Sequence, residues 1–234
     1  MPIFITVKPP ATIKLTRHYP FSIINFPFAM NIVLFGGSFN PPHLGHQIVL
    51  TQAFELIPNV DEVWLLPTHH HTFGKHHQYA SDHHRLAMTK YLLSDKVKLC
   101  PIEIDLKLSG ETIDTIHQLK SHPKYSIPNT KYSFLMGSDN LPSFTKWGSW
   151  EKLLDELPFF VYPRAGFPFQ PLYDHMTPLE SPLQVVTNIS STLIRNRLQK
   201  NLPIHHLVPP SIEQYITSHN LYPGLTTKPT LVKP

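Results

Sequence analysis

The apolar run Asn31-Ile32-Val33-Leu34-Phe35 feeds directly into Gly36-Gly37-Ser38-Phe39-Asn40-Pro41-Pro42-His43-Leu44-Gly45-His46. A strand that ends on two glycines, turns, and starts a helix bearing two histidines is a way to build an anion site. The anion is then met by backbone N–H groups and imidazoles rather than by a lysine loop. Glycine lets a ligand come close to the backbone with no side chain between them. Asn40 and the two prolines suit a helix start, where unpaired N–H groups and the positive end of the dipole attract anions. His43 and His46, at i and i+3, share one helical face and can grip the same phosphate. The other reading, a corner with incidental surface histidines, fits poorly with two histidines flanking a glycine beside a Gly-Gly turn.

Strand and helix signals alternate from this point on. Strands are expected over 31–35, 60–66, 97–104, 131–136, 158–162 and 183–186. Helices are expected over 43–57, from a Ser81 cap to Leu93, and over 112–119, 190–199 and 209–218. Residues 68–80 read as a His-rich loop. Strands separated by helical segments imply a parallel sheet with helices on both faces. Right-handed crossovers make it α/β, a Rossmann-like doubly wound fold in a single domain with a small helical C-terminal part. Ligands of such folds sit beyond the carboxyl ends of the strands, where Gly36, Pro67 and Gly137 fall.

Composition narrows the class. The chain has 234 residues, enough for one sizeable α/β domain with appendages. Hydrophobic content of 41% and charged content of 15% describe a globular protein. A single cysteine excludes a disulfide framework and fits a reducing, cytoplasmic setting. The net charge of +4 is dispersed rather than clustered, which favours a small anionic substrate over nucleic acid. No apolar run reaches the ~20 residues of a membrane helix. Residues 1–29 mix prolines, lysines and aromatics without period. They read as an N-terminal extension, or as a stretch preceding a translation start at Met30. The domain proper is expected over 30–222, with a disordered tail over 223–234.

A second signal is Ile189-Ser190-Ser191-Thr192-Leu193-Ile194-Arg195, entering a helix. Hydroxyl residues at a helix start can cap it or present hydroxyls and N–H groups to a phosphate. Arg195, four residues after Ser191, lies over the same face and can add a charged contact. The early Gly-Gly-x-Phe-x-Pro-x-His-x-Gly-His stretch and this late Ile-Ser-Ser-Thr-x-x-Arg together resemble the nucleotidylyltransferase superfamily. Within it the chain is most similar to bacterial nicotinate-mononucleotide adenylyltransferases. Gly137-Ser138-Asp139-Asn140-Leu141-Pro142-Ser143-Phe144-Thr145-Lys146-Trp147 matches that family's Gly-x-Asp-x-Leu-x-x-Phe-x-x-Trp. The ending from Leu207 to Tyr222 is also similar, so the likeness spans roughly residues 30–222.

The resemblance implies adenylyl transfer from ATP to nicotinate (or nicotinamide) mononucleotide. Pyrophosphate is released and no covalent enzyme intermediate forms. It implies that His43, His46, Lys75 and Arg195 meet the phosphates. Gly36, Gly37, Ser38 and Phe39 would shape the nucleotide turn, and Gly137, Asp139, Ser191 and Thr192 would also bind the nucleotide. Thr112, Trp147 and Arg164 are expected on the acceptor side, with Trp147 either stacked on the pyridine ring or a core tryptophan. Mg²⁺ is expected to arrive on the ATP phosphates, with no protein metal cage. A homo-oligomer is compatible with this reading. Arg85 reads as structural or as a second phosphate contact, and Cys100 as a packing residue.

The departures concern the acceptor. Gly110-Glu111-Thr112 stands where the family carries Ser-Tyr-Thr, adding a carboxylate that could repel nicotinate. Asn40 replaces a frequent Asp, and Arg164-Ala165-Gly166 replaces Arg-Pro-Gly. Histidines 69–71, 76 and 77, followed by His83 and His84, suggest metal binding, but no Cys or fixed-spacing partner completes a ligand set. A loop that closes over the mononucleotide is the favoured reading. The alternatives are transfer to another phosphate acceptor, such as pantetheine phosphate, and a non-catalytic nucleotide-binding regulator on the same scaffold.

Overall fold

In a computed structural model, which describes residues 29–69 and 80–223, strand β1 spans Met30–Gly37. Its side chains alternate between two cores. Val33 and Phe35 enter one apolar cluster, and Ile32 and Leu34 enter the other. A strand buried on both faces needs an unbroken apolar run, which is why β1 shows no polar alternation.

The remaining strands are β2 (Glu62–Pro67), β3 (Val97–Leu99), β4 (Thr130–Gly137), β5 (Phe159–Tyr162) and β6 (Met176–Pro178). All pair in parallel, in the order β3-β2-β1-β4-β5-β6. That is the doubly wound order, whose direction reverses between β1 and β4. The register sets Gly36 beside Leu66 and Phe35 beside Leu135, so the β1 and β4 ends open a crevice together.

Helices α1 (Leu44–Leu56), α6 (Ser191–Gln199) and α7 (Pro210–Ser218) cover one face. Val49, Leu50, Ala53, Ile194, Ile212 and Ile216 fill that core. The other face is covered by α4 (Thr112–Ser121) and α5 (Trp150–Glu156), through Ile113, Ile116, Leu119, Leu153 and Leu154. Helix α2 (Asp82–Thr89) starts at the expected Ser81 cap, whose hydroxyl accepts the His84 N–H. It continues as a 3₁₀ turn over Lys90–Leu92. No described helix is long and apolar enough to cross a membrane.

Two strand expectations are corrected. The third strand stops at Leu99, because Pro101 offers no N–H to a ladder and instead opens the short helix α3 (Ile102–Asp105). Residues 183–186 form no strand. Their backbone is held by side chains: the Val185 N–H donates to Gln52 Oε1 at 2.9 Å, and Gln52 Nε2 donates to the Leu183 carbonyl at 3.3 Å. Leu183 is 86% exposed, so its apolar character marks no buried strand. The sixth strand is β6, which pairs Met176 with Phe159.

Candidate active site

A cavity of about 470 Å³ opens at the reversal point. Its floor is the carboxyl ends of β1, β2, β4 and β5, represented by Phe35, Leu66, Met136 and Tyr162. One wall comes from α1 and α6, and the other from α4 and the 3₁₀ segment Ser138–Lys146.

The turn leaving β1 is built without slack. A Cβ on Gly36 would stand 2.8 Å from Phe134 Cζ, so any side chain there would have to displace that buried ring. Phe39 takes a left-handed φ of 45°, uncommon for a side-chain-bearing residue. Its buried ring packs on Phe35 at 5.8 Å and His46 at 4.9 Å, which holds the backbone there. Three carbonyls of the turn are then tied from behind. Arg85 Nη1 donates to the Ser38 carbonyl, Arg195 Nη1 to the Asn40 carbonyl and Ser191 Oγ to the Pro41 carbonyl, each at 2.8 Å. The Asn40 side chain is fully buried, and its Oδ1 accepts the Ala80 N–H at 3.0 Å and the Tyr222 hydroxyl at 2.7 Å.

Two imidazoles stand over this turn. The His43 and His46 rings lie 3.7 Å apart, centroid to centroid, and both line the cavity. The His43 backbone N–H donates to His46 Nδ1 at 3.1 Å. A neutral His46 therefore carries its proton on Nε2. Burial and the nearby Arg164 pull His46 down to about 3. Burial, His46 and Arg164 depress His43 as well. Both rings are therefore uncharged at neutral pH. His43 Nδ1 is buried at the start of α1 and makes no hydrogen bond with a described residue. The fixed positive charge facing them is Arg164, beyond β5. Its Nη1 donates to the Ile189 carbonyl at 3.2 Å, and its Nε lies 3.8 Å from Asp139 Oδ1.

The sequence-identified residues divide into three groups. Gly36, Gly37, Ser38, His43, His46, Gly137, Asp139, Ser191, Thr112, Trp147 and Arg164 all line the one cavity. Phe39, Thr192 and Arg195 stand outside its lining. Arg195 is 3% exposed, with one guanidinium nitrogen on the Asn40 carbonyl and another 3.3 Å from Thr192 Oγ1. Ser190 caps α6 by accepting the Leu193 N–H at 3.1 Å. The hydroxyl run thus serves capping and turn-tying at once. Lys75, with His70, His71, His76 and His77, lies outside the described residues.

Sequence reasoning missed Glu103. Its carboxylate is 5% exposed and lines the cavity, accepting the His69 N–H at 3.2 Å and the Thr115 hydroxyl at 3.1 Å. Burial pushes it up to about 6 against those two donors. The signal was a glutamate inside the apolar Pro101-Ile102-Glu103-Ile104, a stretch expected to belong to the third strand. Trp147 is half-buried against Phe144 at 5.3 Å and Phe134 at 6.0 Å, so it serves core and cavity together.

Known proteins share this layout. The cytidylyltransferase-like family model matches residues 34–197. A nicotinate-nucleotide adenylyltransferase of Shouchella clausii is 34% identical over 194 residues, 82% of this chain and 96% of that protein. One of Myxococcus xanthus is 35% identical, over 86% of this chain and 98% of the relative. The solved Plasmodium falciparum nicotinic acid mononucleotide adenylyltransferase complexed with NaAD overlays with a TM-score of 0.67. It is 24% identical and covers 82% of this chain and 97% of that one, a likeness of fold. With the family model spanning both histidines and the α6 hydroxyl run, the chain belongs to the cytidylyltransferase-like family, among the nicotinate-nucleotide adenylyltransferases.

Proposed function

We propose that the cavity binds ATP together with a pyridine mononucleotide and joins them into a dinucleotide. A phosphate oxygen of the mononucleotide attacks the α-phosphorus of ATP. The bond from that phosphorus to the bridging oxygen breaks, and pyrophosphate leaves with its electron pair. The observation that carries this reading is the convergence of His43, His46, Arg164 and the start of α1 at the β1 and β4 ends. Phosphoryl chemistry of this kind asks the protein for positioning and charge stabilisation rather than for a nucleophile. The one cysteine fits that demand poorly as a nucleophile, since burial pushes the Cys100 thiol up to about 12.

His46, held by the His43 N–H, offers its Nε2 proton to a phosphoryl oxygen. Arg164 supplies a permanent positive charge, and Ser191 lines the same cavity. Arg195 acts from behind, fixing the Asn40 carbonyl and so the turn. Trp147 offers an aromatic wall to the pyridine, and Thr112 stands beside it. Among the described residues, no three His, Cys, Asp or Glu side chains are grouped to hold a metal ion. Mg²⁺ brought on the triphosphate would add charge neutralisation, with its other ligands from water.

The test is pyrophosphate release from Mg-ATP with nicotinate mononucleotide, nicotinamide mononucleotide and pantetheine phosphate offered in turn. Release with a pyridine mononucleotide is expected, and silence with both would refute the reading. In the same assay His46→Ala lowers turnover about a hundredfold, on the scale of about 3 kcal/mol. An unchanged kcat in a folded variant removes His46 from the chemistry.

A further inference from the structure

The cavity wall opposite the histidines carries its own charge pattern. Glu103 and Glu111 both line it, and Lys146 is the cation on that wall among the described residues. Arg164 is engaged by Asp139 and the Ile189 carbonyl. Glu103 is already engaged by the His69 N–H and the Thr115 hydroxyl. Glu111 differs. Its backbone N–H goes to Ser109 Oγ at 3.1 Å, while its half-buried carboxylate has no hydrogen bond or ion pair with any described residue.

That carboxylate sits against Gly148, the residue after Trp147. A Cβ on Gly148 would stand 2.1 Å from Glu111 Oε2 and 2.3 Å from its Cδ. A side chain of any size at position 148 would displace it. The Glu111 and Gly148 pair therefore puts a hydrogen-bond acceptor with negative charge beside the aromatic wall. Such a group attracts an N–H donor and repels another carboxylate, and repulsion discriminates as strongly as attraction.

This inference rests on the pyridine mononucleotide reading above. We infer that Glu111 is a specificity-determining residue for the ring substituent of the acceptor. It accepts an N–H of a carboxamide and opposes a carboxylate, shifting acceptor preference toward the carboxamide form. A pyridinium ring carries the same positive charge in both forms, so the substituent alone decides the difference.

The experiment uses the full chain and Mg-ATP, measuring kcat/KM for nicotinate mononucleotide and for nicotinamide mononucleotide in the native protein and in Glu111→Gln. Glutamine keeps the shape and removes the charge. The acid-to-amide ratio of kcat/KM rises about tenfold in Glu111→Gln, mainly through a lower KM for the acid. Because both acceptors are read on one preparation, the folded fraction cancels, and a purely structural role leaves the ratio where it was. A rise of threefold or more supports the inference, and any smaller change or a fall overturns it while leaving the pyridine reading intact. No pyrophosphate with either acceptor in the native protein overturns that reading and this inference with it.

Discussion

Replacing Glu103 with glutamine should stabilise the protein at alkaline pH and leave it nearly unchanged in acid. Glu103 is 5% exposed, and burial is the main cause that lifts it from 4.5 to about 6. A carboxyl whose folded value is raised supports the fold while protonated, below about pH 4.5. It loses that support as pH climbs through about 6. A displacement of that size corresponds to about 2 kcal/mol, felt in full by pH 8. Glutamine can satisfy the same neighbours. Its oxygen accepts the His69 N–H, and its amide donates to Thr115 Oγ1. The Thr115 hydroxyl then turns to the Glu111 carbonyl, already 3.5 Å away. Urea denaturation at pH 4.5, 6 and 8, fitted with a common m-value, should show the variant matching the native protein at the lowest pH. At pH 8 it should be about 2 kcal/mol more stable, about 4–8 °C in Tm for a chain of this size. A difference that is constant across the three pH values would refute the reasoning, because only a titrating carboxyl makes the gap open with pH.

Arg85→Met should cost about 3 kcal/mol at pH 7 by urea denaturation, because the Ser38 and Thr68 carbonyls each lose a charged donor worth about 1.5 kcal/mol. It should also raise KM for ATP, since Ser38 belongs to the phosphate turn. Gly45→Ala should raise KM for ATP at least fivefold while circular dichroism stays native. The new Cβ would meet His43 Nδ1 at 2.9 Å and the Ile189 carbonyl at 3.3 Å, pushing the imidazole off its place. An unaltered KM would mean that the ring has room to give.

What the sequence revealed and what it hid follow from how far each signal reaches. The doubly wound sheet was legible because β1, β2 and the second half of β4 are apolar runs buried on both faces, and the Ser81 cap was legible because capping is a three-residue affair. The edge strand β6 was not, since Met176–Pro178 is three residues long and ends in proline, with little apolar surface to announce it. Leu183–Val186 looked like a strand on propensity alone, yet Gln52 and Tyr162, far away in sequence, supply its hydrogen bonds. The histidine pair could be read from spacing. The engagement of Arg195 with the Asn40 carbonyl could not, because it depends on α6 packing behind a turn 155 residues earlier.

The two walls of the cavity carry different charged groups: Arg164 with Asp139 on one, and Glu103 and Glu111 with Lys146 on the other. The side of the histidines offers Arg164, the start of α1 and imidazoles kept neutral by burial, so an anion there meets one guanidinium beside Asp139 and donors that carry no charge of their own. The opposite side presents Glu111 and Glu103, which disfavour a triphosphate and suit a cationic ring. A mononucleotide has a phosphate at one end and a pyridinium at the other. In the proposed complex the phosphate lies by Arg164 and the pyridinium by Glu111, so that each charged end faces a group of opposite sign. The Glu111 carboxylate, half-buried and unengaged by any described residue, contributes to that arrangement through a charge that a single substitution can remove.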